Sequence, residues 1–82
     1  MKQTLPILIK ELAPDDIEKM LGILLTPQEY KAIEHRIHIL TELTQNIPQA
    51  EIAKKYNVGI GTVTRGSREY KLHAPFINKY FK

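Results

Sequence analysis

The stretch that decides the reading is residues 49–68, QAEIAKKYNVGIGTVTRGSR. Counted from Gln49, a hydrophobe (Ile52) stands at the fourth place and a small residue (Ala53) at the fifth. Asn57, which tolerates a left-handed backbone, is at the ninth; hydrophobes follow at the tenth (Val58) and fifteenth (Val63). This is the spacing of a helix-turn-helix, in which two helices cross steeply over a turn of about three or four residues. Only a small side chain fits at the crossing, which is the place of Ala53. Ile52, Tyr56, Val58 and Val63 pin the second helix to the first. The outward residues of the second helix, Ile60, Gly61, Thr64 and Arg65, are then free to enter a major groove, with Gln49 and Ala50 at the start of the first helix. A helix pair of this spacing also serves plain packing, and that alternative stands at this point.

Upstream, Thr26-Pro27-Gln28-Glu29 is a helix start: Thr26 fits an N-cap, Pro27 the first turn, and Glu29 the acid that reaches back in a capping box. The spacing predicts a long helix over 27–45. Tyr30, Ile33, Ile37, Leu40 and Thr44 form one stripe on it, and Ile39 and Leu43 widen the stripe to an arc that fits burial against more than one neighbour. Before it, a short helix over 4–13 puts Leu5, Leu8, Ile9 and Leu12 on one face and stops at Pro14. A second, capped by Asp15 or Asp16, runs to about residue 24 with Ile17, Met20, Leu21 and Leu24 inward. Within the helix-turn-helix, the helices are expected over 49–56 and from 59 or 60 to about 70. A last short helix is expected over 75–81, after His73-Ala74-Pro75. Nothing alternates with period two for long enough to be a strand. The expected fold is all-α, with five to six short helices in a single domain spanning residues 1–82.

Composition narrows the function. The chain has 82 residues, no Cys and a net charge of +3. A chain this short buries only roughly 60% of its extended surface. Without Cys, disulfides and thiolate zinc sites are closed to it, and the three His lack metal-ligand spacing. Oligomerisation remains, so a homodimer is expected. No apolar run is long enough to span a membrane, and no cleavage site follows Leu5–Ile9, so the expectation is a soluble cytoplasmic protein. The positive excess lies wholly in the C-terminal half. Lys54, Lys55, Arg65, Arg68, Lys71, Lys79 and Lys82 face only Glu51 and Glu69 there, which is the electrostatic footprint of a polyanion-binding surface or an ordinary solvated one. Glu34 and His38 form an i, i+4 pair without a further catalytic partner, so the chain is not expected to be an enzyme.

Two blocks carry a family resemblance. LLTPQEYKAIEHRIHIL, residues 24–40, is similar to the capped long helix of the tryptophan (trp operon) repressor family, and GIGTVTRGS, residues 59–67, resembles that family's recognition segment. The resemblance covers roughly residues 21–75, and its TRGS block is absent from generic helix-turn-helix segments. It implies an intertwined homodimer whose recognition helices enter successive major grooves of a palindromic double-stranded DNA operator. It also implies repression with L-tryptophan as co-repressor and no other cofactor. By position, Arg36 and Arg65 would sandwich the indole, as guanidinium planes do on aromatic faces. Thr26 and Arg65 would meet the carboxylate, and the backbone carbonyls of Ile23 and Leu25 the ammonium. Thr62 and Gly66 would line the pocket. Read without the resemblance, Arg36 is an ordinary salt-bridge residue, paired with Glu29 or Glu42, and Arg65 a phosphate contact.

Lys54, Lys55, Arg68 and Lys71 would contact phosphates, while Gln49, Ile60, Gly61 and Thr64 read the sequence, partly through water. The chain departs from the family pattern at four residues. Glu69 stands where a small hydroxyl residue completes the ammonium site; a carboxylate there can pair with an ammonium and can repel a carboxylate. Ala50 and Ala53 replace basic residues, and Gly61 replaces an alanine in the recognition helix. Two rival functions differ in what they bind. One is the same fold on DNA without a tryptophan effector; the other is a helical protein-interaction module with no nucleic-acid role.

Overall fold

The computed structural model describes residues 2–82 and is all-α. Five α-helices follow one another: α1 (Leu5–Glu11), α2 (Ile17–Leu24), α3 (Pro27–Thr44), α4 (Gln49–Tyr56) and α5 (Ile60–Tyr80), with a single 3-10 turn at Pro14–Asp16 ahead of α2. By contacts the chain forms two compact units, one up to Lys31 and one from Ala32.

In the first unit, α1 is two to three residues shorter than its apolar pattern suggests, because Leu12 and Ala13 are already extended ahead of Pro14. The expected acidic cap on α2 is absent as such. Asp16 is the cap residue but has helical backbone angles and makes no side-chain cap bond. The 3-10 turn brings the chain into the helix already wound, with Asp16 N–H donating to the Ala13 carbonyl (2.9 Å), so the side chain is not placed to reach back. The capping box at α3 is formed as expected. Thr26 N–H donates to Glu29 Oε1 (2.9 Å) and Glu29 N–H to Thr26 Oγ1 (3.1 Å). Neither α1 nor α2 contains a buried residue.

The second unit holds the core. Ile39 and Leu43 of α3 pack with Ile52 of α4 and Val63 of α5, and Ile52 and Val63 are fully buried. The expected stripe on α3 is corrected here: Ile39 and Leu43, the residues that widened it, face this core, while Ile33 and Ile37 are exposed. At 3.6 residues per turn these are different faces, so one helix carries two apolar surfaces and this chain fills only one.

The C-terminal ends of α3 and α4 are both made by asparagine. Asn46 (φ 61°) and Asn57 (φ 53°) take the left-handed conformation just past α3 and α4. After α3, Asn46 N–H donates to the Leu43 carbonyl and Ile47 N–H to that of Glu42. After α4, Asn57 N–H donates to Lys54 and Val58 N–H to Ala53. These are paired Schellman bonds, and the hydrophobe after each Asn, Ile47 or Val58, folds back onto the core as that motif requires. The turn between α4 and α5 is therefore dictated locally, and it sets the crossing.

α5 joins the two helices expected from sequence into one, kinked where they were to part. His73 leaves helical geometry (φ −130°, ψ 28°) two residues before Pro75. Proline lacks the N–H and its ring crowds the carbonyl one turn back, which bends the helix without ending it. Tyr70 spans the kink, its hydroxyl donating to Asn78 Oδ1 (2.9 Å), and Ile77 beyond it is buried.

Candidate nucleic-acid interface and ligand cavity

α5 presents three faces over its first three turns. Val63, Ser67 and Tyr70 turn to the core, the first two buried. Ile60, Gly61, Thr64, Arg68 and Lys71 are exposed on a second face. Thr62, Arg65, Gly66 and Glu69 lie on a third face. The exposed face combines one large apolar side chain, a hydroxyl, a glycine and two cations, all on one rigid helix. Thr64 Oγ1 has a single proton for two acceptors, the Ile60 carbonyl (2.9 Å) and Gln49 Oε1 (3.0 Å). The first satisfies the hydroxyl on its own, so Gln49 at the start of α4 can turn to another partner at small cost. Lys54 is exposed on α4.

Lys55 is committed elsewhere. Its Nζ lies 2.6 Å from Glu42 Oε1 and ties α4 to α3. Glu42 is buried, and its other oxygen, Oε2, has no hydrogen-bond partner. The Lys55 ammonium holds the Glu42 carboxyl below its ordinary value; burial opposes this, and Tyr56 and His38 add to it. Lys55 is raised in turn, first by Glu42. Burial is the main reason the Tyr56 hydroxyl is pushed up. Tyr56 also stacks on His38, with ring centres 5.5 Å apart. Sequence reading offered Glu42 only as a partner for Arg36 and missed this group. The signal was available: Glu42 follows Ile39 by three residues and precedes Leu43, on the core face of α3.

The third face of α5 and α3 together enclose an open cavity of about 330 Å³, lined by Arg36, Ile39, Leu40, Thr62, Arg65, Gly66 and Glu69. That is at the small end of the range for small-molecule sites, roughly 300–1,000 Å³. Ile39 and Leu40 supply an apolar floor, and Arg36 and Arg65 two guanidiniums. Gly66 faces α3 closely: a Cβ there would stand 3.1 Å from Ile39 Cγ2. Arg36 makes no ion pair among the described residues, and Glu42, one of its two expected partners, is taken by Lys55. The salt-bridge reading of Arg36 therefore gives way to a guanidinium at a cavity wall.

Five of the sequence-stated ligand residues thus meet at one cavity. The other three belong to the first unit. There Ile23 is exposed, Leu25 half-buried, and Thr26 occupied in its capping box, where its hydroxyl accepts a bond and keeps its own proton free to donate. Among the described residues no group of His, Asp and Glu is arranged to hold a metal, and no helix is long and apolar enough to cross a membrane.

Comparison with known proteins decides the kinship of this arrangement. The chain matches the family described as Trp repressor protein over residues 1–82. It belongs to the Trp repressor family. The "Trp operon repressor homolog" of Vibrio cholerae is 37% identical over 71 residues, which cover 85% of this chain and 69% of that protein. That of Aliivibrio salmonicida is 40% identical over 57 residues, 68% of this chain and 53% of that protein. That of Mannheimia succiniciproducens is 39% identical over 66 residues, 79% and 65% respectively. The chain therefore spans between about half and just over two thirds of these repressor homologues' lengths. No solved structure matches it.

Proposed function

We propose that this chain is a sequence-specific DNA-binding transcriptional repressor, acting in the cytoplasm as a homodimer on a palindromic operator, with L-tryptophan as co-repressor. The observation that carries the reading is the division of α5. One face is anchored by fully buried Val63, one is free for a groove, and one walls a cavity with two guanidiniums. Membership of a repressor family supports it.

The dimer rests on unfilled apolar surface. Ile33 and Ile37 on α3 and Leu72, Phe76 and Tyr80 on α5 are exposed on the single chain. A second copy covering them would set two recognition helices about one DNA turn, roughly 34 Å, apart. Ile60, Gly61, Thr64 and Gln49 then reach base edges, and Lys54, Arg68 and Lys71 reach phosphates. Lys55 contributes less, because Glu42 already holds its charge.

Regulation follows from α5 serving both surfaces. An indole between Arg36 and Arg65 fills the space between α3 and α5 and biases the angle at which α5 leaves the core. The ligand can act only by binding one such angle better than others, so its affinity and that of DNA are linked. No catalytic step is part of this function.

Operator selection from random duplexes, with and without L-tryptophan, tests the whole reading. A palindromic site enriched only with the amino acid is the expected result. Equal enrichment without it removes the co-repressor. No enrichment at low salt removes DNA and favours a protein-interaction module.

A further inference from the structure

α5 carries different surfaces on either side of its bend. Ahead of the bend stand the DNA-facing residues, from Ile60 to Lys71, and Val63 and Tyr70 fix this half to the core. Past the bend stand Phe76 and Tyr80, 65% and 63% exposed with ring centres 5.3 Å apart, on the apolar surface assigned above to a second copy. Of the residues beyond His73, only Ile77 is buried.

The bend is a weak joint. His73 is out of helical geometry, and Pro75 has no N–H to give to the Lys71 carbonyl one turn back. The backbone ladder is therefore broken where the two halves meet. One side-chain bond spans the gap: the Tyr70 hydroxyl donates to Asn78 Oδ1 at 2.9 Å, eight residues and about two turns further on. No other side-chain hydrogen bond or ion pair crosses the bend among the described residues. Tyr70 is half-buried against the core, so its hydroxyl is a fixed point; Asn78 is exposed and follows the C-terminal half.

We propose that Tyr70 and Asn78 are positioning residues for DNA recognition: their bond sets the angle between the two halves of α5, and with it the half-site spacing that a dimer accepts. This rests on the dimeric-repressor reading above. With the C-terminal half gripped by a second copy, the bend angle decides where each reading half points. One base pair added between half-sites moves a site by about 3.4 Å and turns it by about 34°. A joint that holds its angle discriminates against that change, and a loose joint follows it. Loosening also lowers the fraction of molecules at the matched angle, which weakens binding to the best operator by the same fraction.

The test is binding of the full chain to palindromic duplexes from the operator selection, with half-sites at the optimal spacing and one base pair longer or shorter. Tyr70→Phe keeps the ring on the core and removes the hydroxyl. Asn78→Ala, at an exposed position, removes the acceptor, and Asn78→Asp keeps an acceptor oxygen. The wild type is expected to bind the optimal spacing best. Tyr70→Phe and Asn78→Ala should each lose roughly twofold to tenfold there, the range for one hydrogen bond, and less on the other spacings, so the preference flattens. The double variant should be no worse than either single one, and Asn78→Asp should keep the wild-type preference. A bond that only stabilised the fold would weaken all spacings alike.

A spacing preference unchanged in Tyr70→Phe or Asn78→Ala, additive losses in the double variant, or flattening in Asn78→Asp equal to that in Asn78→Ala overturns the brace and leaves the repressor reading intact. So does a wild type that binds all three spacings equally. A wild type that enriches no palindromic operator overturns both.

Discussion

The chain up to Lys31 and the chain from Ala32 are written in the same helical pattern, and they use it differently. From Ala32 onward the apolar positions close on one another: Ile39, Leu43, Ile52 and Val63 form one buried cluster. Before it, Leu5, Ile7, Ile9, Ile17, Ile23 and Leu24 lie at least two fifths exposed, and no residue of α1 or α2 is buried. Amphipathicity states that a face will be covered; it does not state by what. In the second unit the cover is the chain itself. In the first it is missing from one chain, which is the condition a second copy would remedy.

The largest effect that would sharpen this contrast comes from Ile52→Ala. It should cost about 2–5 kcal/mol in chemical denaturation, the range for emptying a buried aliphatic site. Ile9→Ala, at a residue 50% exposed on one chain, should stay within about 0.5 kcal/mol if nothing covers α1. A cost above about 1 kcal/mol for Ile9→Ala, growing with protein concentration, would show that a partner covers it.

The next is Ile37→Lys, on the exposed face of α3. A homodimer sedimenting as such, with a melting temperature that rises with concentration, should become a monomer. Melting independent of concentration in the wild type would break the dimer reading outright.

The Glu42–Lys55 pair tests the second unit from within. Glu42 titrates below its ordinary 4.5 in the folded chain, so its contribution is present above that value and lost as pH falls through the lower folded value. Lys55 titrates above 10.5, so its share is complete below that value and lost as pH rises through the higher folded one. Lys55→Met should therefore be less stable than the wild type near neutral pH, and the two should converge in acid below 4.5 as Glu42 protonates. A stability gap that persists in acid would mean that Lys55 acts by packing alone.

The smallest effect separates two glycines on α5. A Cβ at Gly61 meets nothing, so Gly61→Ala should add about 0.5–1 kcal/mol of stability through helix propensity. At Gly66 the same change brings a Cβ to 3.1 Å from Ile39 Cγ2, tighter than ordinary contact, and should give a smaller gain or a loss.

Much of this was legible in the one-dimensional pattern. Thr26-Pro27-Gln28-Glu29 specified its own cap because both bonds join residues three apart. Asn57 specified the turn because few residues accept its backbone angles. Ile52 and Val63 were legible as core because helix-turn-helix spacing leaves them no other direction. What escaped were facts that depend on a neighbour distant in the chain. Which of two apolar faces of α3 is filled depends on where α4 and α5 return. Glu42 looks like any surface acid until Lys55, thirteen residues on, is brought to it. Arg36 looks like a salt-bridge residue until that same pairing takes Glu42 away.

Local bonding and 3.6-residue periodicity are written into neighbouring residues, so the sequence by itself determined the helices, their caps and the turn of the reading head. The grouping of Arg36, Thr62, Arg65, Gly66 and Glu69 came only from a family resemblance, and it was the tertiary structure that decided that α3 and α5 bring them around one cavity. Those relations join α3 to α5, and no spacing along the chain encodes the distance between helices until they pack.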